Sequence, residues 1–261
     1  MTARLRFGFA LIIVVTLWAS AAFGWSFAVC GDSRDDKNGI LPRILAAVRE
    51  SDMEFLLHTG DLERPGWTKS WEAFKAKTAG FPKPLHIAIG NHELHKSSRE
   101  EFTRFFGLQK TSYAFTHKDV RFLIVDNAGG SFADNTLEWL DKELGAHPKR
   151  KNGIARLVVA MHFPPQTDNI FPHGTRNGYR DQSMKLLKIL SRHKVDLLLC
   201  SHEHMHLVDD WNGIKVIVSG GAGAPLVPFQ KYGFYRIDVT DGGIREKFLP
   251  IRSTPPSSAV R

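Results

Sequence analysis

Five short apolar runs, each closing on side chains that can ligate a metal, constrain this chain more than any other feature of its sequence. "WSFAVC" leads to Asp32, "MEFLLH" to Asp61, and "PLHIAI" to Asn91 and His92; "ARLVVAMH" ends on His162, and "VDLLLC" leads to His202 and His204. Apolar runs of this length bounded by Gly, Asp, Asn or Ser read as buried strands. In open α/β sheets, ligands bind at the loops that follow strand C-termini. Convergence of five such ends on one cleft would make a cage of carboxylate, amide and imidazole donors. Taken singly, Asp32 and Asp61 after glycine are also good turn or helix-capping residues. Five donor-bearing ends in succession are not accounted for in that way.

Between the apolar runs lie segments of helical period. Ile40, Leu41, Ile44, Leu45 and Val48 make one 3.6-residue stripe, and further helices are expected near Trp67 to Ala79, Glu101 to Phe106, Asn135 to Leu144 and Asp181 to His193. "SYAFTHKDVRFLIVDN" reads as a hairpin turning at "THKD", and turn signals at "WNG" and "DGG" make the C-terminal quarter mostly strand. The expected fold class is α/β: two mixed sheets packed together with helices outside. In "CSHEHMH" an extended backbone would project His202, His204 and His206 toward one face.

The first 24 residues stand apart. Arg4 and Arg6, an apolar run and small residues near Ala19 to Gly24 have the shape of a secretory signal peptide. The alternative is an uncleaved anchor over residues 7–24, at the short limit for a membrane span. The expectation is therefore an exported protein, periplasmic or extracellular, with membrane contact only where the leader is kept. The domain runs over 25–252, and 253–261 is a flexible tail.

Of 35 basic and 27 acidic residues two arginines sit in the leader, which leaves a formal charge of +6. That balance favours anionic substrates. No basic run interleaved with aromatics marks a nucleic-acid groove, so no specific nucleic-acid binding is expected, and "HPKRKN" reads as a solvated loop. The two cysteines, Cys30 and Cys200, each close an apolar strand and read as small buried hydrophobes.

In order, "GD", "GD", "GNHE", "MH" and "SHEH" resemble the five motifs of the calcineurin-like metallophosphoesterase superfamily, and "VSGGAGAP" is similar to a glycine-rich strand end of its exported bacterial members. The resemblance spans Asp32 to His204. It implies a four-layer α-β-β-α sandwich with a dinuclear metal site at the C-terminal strand ends, and hydrolysis of a phosphomonoester or phosphodiester by metal-activated hydroxide. By motif, Asp61 would bridge two metals, with Asn91, His162 and His202 completing one and Asp32 and His204 the other. His92 would contact the phosphate and act as general acid, with Glu93 near enough to orient it, while His206 has no ligand counterpart. The substrate contacts would be Arg34, Asn91 and His92, and the substrate a small phosphorylated molecule. A donor set without thiolate fits Mn, Fe or Zn.

One departure bears on the chemistry. Many members carry a histidine two residues after the first aspartate, and here "DSR" places Arg34 there. A guanidinium has no lone pair to give. The first metal site is therefore expected to be the weaker, with Arg34 clamping the phosphate or pairing with Asp35 or Asp36. The alternative to an enzyme is a non-catalytic phosphate- or metal-binding module with that site weakened.

Overall fold

The computed structural model describes residues 24–64, 68–167 and 174–252. The leader and the tail of the sequence reading lie outside these, apart from Gly24. No helix among the described residues is long and apolar enough to cross a membrane.

The first sheet begins with three parallel strands, β1 (Trp25–Cys30), β2 (Leu56–His58) and β3 (Leu85–Ile87). Two helices, α1 (Ile40–Arg49) and α2 (Thr68–Thr78), connect them. A third, α3 (Arg99–Phe106), leads to the antiparallel pair β4 (Tyr113–His117) and β5 (Val120–Ile124) of the second sheet. There β5 runs parallel to β6 (Arg156–Ala160) and, through α4 (Thr136–Ala146) and α5 (Tyr179–Arg192), to β7 (Leu197–Cys200). The hairpin β8 (His206–Trp211) and β9 (Ile214–Ser219) completes that sheet. The hairpin β10 (Gly233–Thr240) and β11 (Gly243–Pro250) returns to pair antiparallel with β1. The sheet orders are β11-β10-β1-β2-β3 and β4-β5-β6-β7-β9-β8.

Side-chain alternation sorts the apolar residues into three cores. From β1, Phe27 and Val29 pack between the sheets, while Ala28 and Cys30 face α1 to α3. From β7, Leu197 and Leu199 join the inter-sheet core, while Leu198 and Cys200 face α4 and α5. Strands buried on both faces are continuously apolar for this reason. Cys30 and Cys200 therefore belong to opposite outer layers, and both are free, buried thiols.

Local chemistry sets the element ends. The α1 stripe predicted from sequence is buried throughout, and the Asp36 carboxylate accepts from Ile40 N and Leu41 N, both at 2.9 Å, to cap the helix. Asp36 is thus spent on the backbone and does not pair with Arg34. Ser98 and Glu101 form a capping box at the start of α3. The turn at Asn212 and Gly213, both with positive φ, matches the "WNG" signal.

A half-buried histidine lies away from the donor cluster. His86 on β3 stacks on Phe115 with ring centroids 3.7 Å apart and meets Phe55 edge-on. Burial, with a smaller contribution from His117, lowers its pKa to about 4. Between pH 6.5 and 4 the unfolded chain binds more protons there than the folded one. The stability carried by neutral His86 is therefore complete above pH 6.5 and is lost as pH falls through that window. His86→Phe keeps the stack and should lose less urea-unfolding stability than the parent between pH 6.5 and 4.5. Equal slopes in the two proteins would remove His86 from the acid response.

Candidate metal centre

The parallel strands of both sheets point their C-terminal ends at one edge of the sandwich, and the loops leaving β1, β2, β3, β6 and β7 meet there. Asp32, Asp61 and His202 take left-handed backbone conformations, with φ of 57°, 57° and 67°. Such turns reverse the chain at once after each strand and aim the side chains inward. They also correct the sequence reading of "CSHEHMH": β7 ends at Cys200 and β8 starts at His206, so the intervening residues form a loop. His202 and His204 face the cluster. His206 packs elsewhere, on Phe248 at 4.2 Å, and burial lowers its pKa to about 4.

The backbones approach closely. A Cβ on Gly90 would lie 2.3 Å from Asp61 Oδ1, and one on Gly220 would lie 2.2 Å from the Glu203 carbonyl oxygen and 2.8 Å from Asp32 Oδ2. The glycine-rich end of β9 therefore lets three loops share one space. Ala222 N and Ala224 N donate to the carbonyls of Gly31 and Asp32.

Four donors form a tight group. His162 Nε2 lies 2.8 Å from Asn91 Oδ1, 3.2 Å from His202 Nδ1 and 3.4 Å from Asp61 Oδ1, and His202 Nδ1 lies 3.1 Å from Asn91 Oδ1. The Thr59 carbonyl, 3.0 Å from His162 Nδ1, can only accept. The proton therefore sits on Nδ1, and Nε2 turns a lone pair toward the amide oxygen of Asn91. Burial keeps His162, His92 and His204 below the usual imidazole pKa, hence neutral. Ligands about 2.1 Å from a cation are separated by roughly 3.0 to 3.4 Å in octahedral or tetrahedral arrangements. Asp61, Asn91, His162 and His202 thus fit a metal ion.

The neighbouring position is different. Asp32 Oδ1 is buried with no hydrogen-bond partner among the described residues, 3.7 Å from His204 Nε2. Burial raises the Asp32 pKa well above the usual carboxylate value, and the Asp61 charge adds to it. His204 Nδ1 donates to the Pro225 carbonyl at 2.7 Å, so its Nε2 is also a lone-pair donor. Asp32, Asp61 and His162 are close enough to hold an ion together. Yet Arg34 spans the atoms a first cation would take, with Nε 3.4 Å from Asp61 Oδ2 and Nη2 3.4 Å from His204 Nε2. A dication about 4 Å from a guanidinium is repelled by roughly 8 kcal/mol at an effective dielectric of 20. With Arg34 in place, a cation held by Asp32, Asp61 and His162 would face that repulsion.

His92 stands at the rim. Its backbone N–H donates to Asp61 Oδ1 at 3.0 Å and its Nε2 lies 3.7 Å from Asp61 Oδ2, beyond hydrogen-bond reach. A cleft of about 250 Å³, lined by Leu94, His95, Gly130, Phe163 and Arg176, opens beside Asn91. A larger hollow of about 390 Å³ between Arg99, Asp126 and Trp139 contains none of the predicted ligands.

Glu93 does not orient His92 as the motif suggested. Its carboxylate lies beneath the loops and accepts from Gly90 N at 2.8 Å and from Asp61 N and Leu62 N at 2.9 Å. Burial, then the Asp61 charge, push its pKa up to about 8 against those three donors. Two further supports escaped the sequence reading. Asn127, after β5, accepts from His162 N and Phe163 N and donates to the Phe163 carbonyl, which pins the His162 loop. His58 bonds Ser33 Oγ at 2.9 Å, and Ser33 donates to the Leu62 carbonyl at 2.6 Å, tying the first loop to the second. "VDN" could have been read as a sixth polar strand end; His58 gives no comparable signal.

A two-sheet sandwich with buried carboxylate, amide and imidazole donors at its strand ends defines an α/β protein with a candidate metal centre. The chain belongs to the calcineurin-like phosphoesterases, whose family model matches residues 26–206. It is 25% identical over 186 residues to the 3',5'-cyclic adenosine monophosphate phosphodiesterase CpdA of Escherichia coli (strain K12), covering 67% of this chain and 64% of that protein. It is 22% identical over 175 residues to the probable glycerophosphodiester phosphodiesterase GpdQ of Arcobacter nitrofigilis, covering 64% of this chain and 62% of the other. The matches thus span just under two thirds of those relatives' lengths. A dimetal phosphatase from Danio rerio shares the fold with a TM-score of 0.67 at 15% identity, covering 87% of this chain and 96% of the other.

Proposed function

We propose that this protein hydrolyses phosphodiesters in a metal-dependent reaction centred on Asp61, Asn91, His162 and His202. The observation that carries the reading is the set of lone pairs converging on His162 Nε2, with its tautomer fixed by the Thr59 carbonyl. A divalent Mn, Fe or Zn ion held there supplies Lewis-acid charge to a phosphoryl oxygen and acidifies water. The names of the CpdA and GpdQ relatives support a diester over a monoester as substrate class.

The chain's own residues have separable tasks in this reading. Asn127 and Glu93 hold the ligand loops, so the site is organised before substrate arrives. His92, at the rim, hydrogen-bonds the phosphate; burial lowers its pKa and the Asp61 charge opposes that, so the protonated fraction that can hand a proton to the departing oxygen is the minor one at neutral pH and grows as pH falls. The cleft beside Asn91 receives the leaving group, with His95 and Arg176 on its wall.

The test is turnover of the Mn-reloaded protein on bis(p-nitrophenyl) phosphate, p-nitrophenyl phosphate and a diester with a high-pKa leaving group. The aryl diester should be preferred. His92→Ala should keep its metal and lose about 100-fold or more on the poor leaving group, and less on nitrophenol. Metal-loaded protein that hydrolyses none of the three would overturn the reading, and an equal loss on good and poor leaving groups would assign His92 to phosphate binding alone.

A further inference from the structure

Arg34 is seated, not merely nearby. Its Nη1 donates to Asp35 Oδ2 at 2.7 Å, and the other oxygen of Asp35 accepts from Arg64 Nε at 2.6 Å. Asp35 takes a left-handed conformation, φ 54°, in the turn that carries this carboxylate. On its other side the guanidinium lies against Asp61 Oδ2 and the lone pair of His204 Nε2. Three acceptors from three loops therefore surround a side chain that is itself largely covered.

We propose that Arg34 occupies the place of a first cation, so that this centre holds one metal tightly and the guanidinium supplies the second positive charge. The inference rests on the metal-dependent reading above and sharpens it. A group that only donates stands 3.4 Å from each of two atoms that would bind a first cation, in an ion pair with Asp61 Oδ2 that is not a hydrogen bond and in a long contact with His204 Nε2. Asp35 keeps that group in position, so it cannot leave the pocket without giving up its shortest ion pair. A guanidinium has five N–H groups, and those not directed at Asp35, Asp61 or His204 remain for a phosphate oxygen. Unlike a metal, it cannot be lost by chelation or dilution. The phosphate thus meets a metal at the His162 side and Arg34 at the His204 side.

The experiment is titration of the metal-stripped full chain with Mn²⁺, followed by calorimetry and electron paramagnetic resonance, with inorganic phosphate as the anion probe. The parent should take up one tight equivalent and show the six-line spectrum of an isolated ion. Arg34→His should take up two and show the multiline spectrum of an exchange-coupled pair. Arg34→Gln should keep one equivalent and bind phosphate about tenfold or more weakly. Two tight equivalents with a coupled spectrum in the parent would refute the inference while leaving the hydrolase reading intact. So would an Arg34→His protein that stays at one, or unchanged phosphate affinity in Arg34→Gln. A parent that binds no Mn²⁺ would instead remove the hydrolase reading, and the inference with it.

Discussion

Asp61→Ala protein, refolded or purified in the presence of Mn²⁺, should carry no tightly held metal and hydrolyse at least 1000-fold more slowly than the parent. Deleting a single preorganised electrostatic group from a site costs about 10² to 10³ in rate. Asp61 combines two such tasks, because one oxygen lies 3.4 Å from His162 Nε2 and the other faces Arg34 and His92. Its first oxygen also holds the His92 backbone N–H. Asp61→Asn separates these tasks: the amide oxygen can still accept from His92 N, so the loop stays in place while the charge is gone. His162→Ala should match Asp61→Ala in metal loss and leave the Asp61 loop intact. Normal metal content and rate in Asp61→Asn and His162→Ala together would mean that the donor cluster is a polar core and nothing more.

The second large effect concerns stability. Glu93→Ala removes the acceptor for three buried backbone N–H groups, those of Gly90, Asp61 and Leu62. A buried donor left unsatisfied costs about 1 to 3 kcal/mol, so the loss should reach roughly 3 kcal/mol or more, a large share of the 5 to 15 kcal/mol that holds a typical domain folded. Metal affinity should fall as well, because the same carboxylate fixes the backbone of Asp61. Glu93→Gln should be intermediate, since one of its terminal atoms still accepts and the other turns a donor toward an N–H. Urea unfolding of the metal-free proteins measures the first effect and Mn²⁺ titration the second. A Glu93→Ala variant as stable as the parent would show that water replaces the carboxylate.

Much of the layered fold was legible because its signals are local. The stripe of α1, the apolar runs of β1, β6 and β7, and the turn chemistry at "WNG" each depend on residues a few positions apart. The ends were less legible. "MEFLLH" and "PLHIAI" promised six-residue strands, whereas β2 and β3 have three residues each; Ala88 N still donates to the His58 carbonyl, and Ile89 is buried beyond the strand. The donor residues could be picked from their positions after strands, yet their geometry could not. Whether His204 faces inward and His206 away depends on a left-handed backbone at His202, and polar residues at such positions carry no obligatory sequence mark. The supports were hidden for a different reason. Glu93 reaches the backbone of Asp61 and Leu62, and Asn127 that of His162 and Phe163, across separations of 31 to 36 residues and on groups that every sequence possesses, while His58 meets a serine hydroxyl 25 residues away.

The left-handed conformations of Asp32, Asp61 and His202 have an evolutionary consequence. A non-glycine residue held in such a region stores on the order of 1 kcal/mol or more of strain, and glycine would relieve it at once. The backbone at these three positions therefore favours a residue that the chemistry cannot use. A lineage released from selection for metal would drift toward glycine there and gain in backbone ease as it lost its ligands. The decay of such a site would be thermodynamically downhill, and its return would require three separate substitutions against strain.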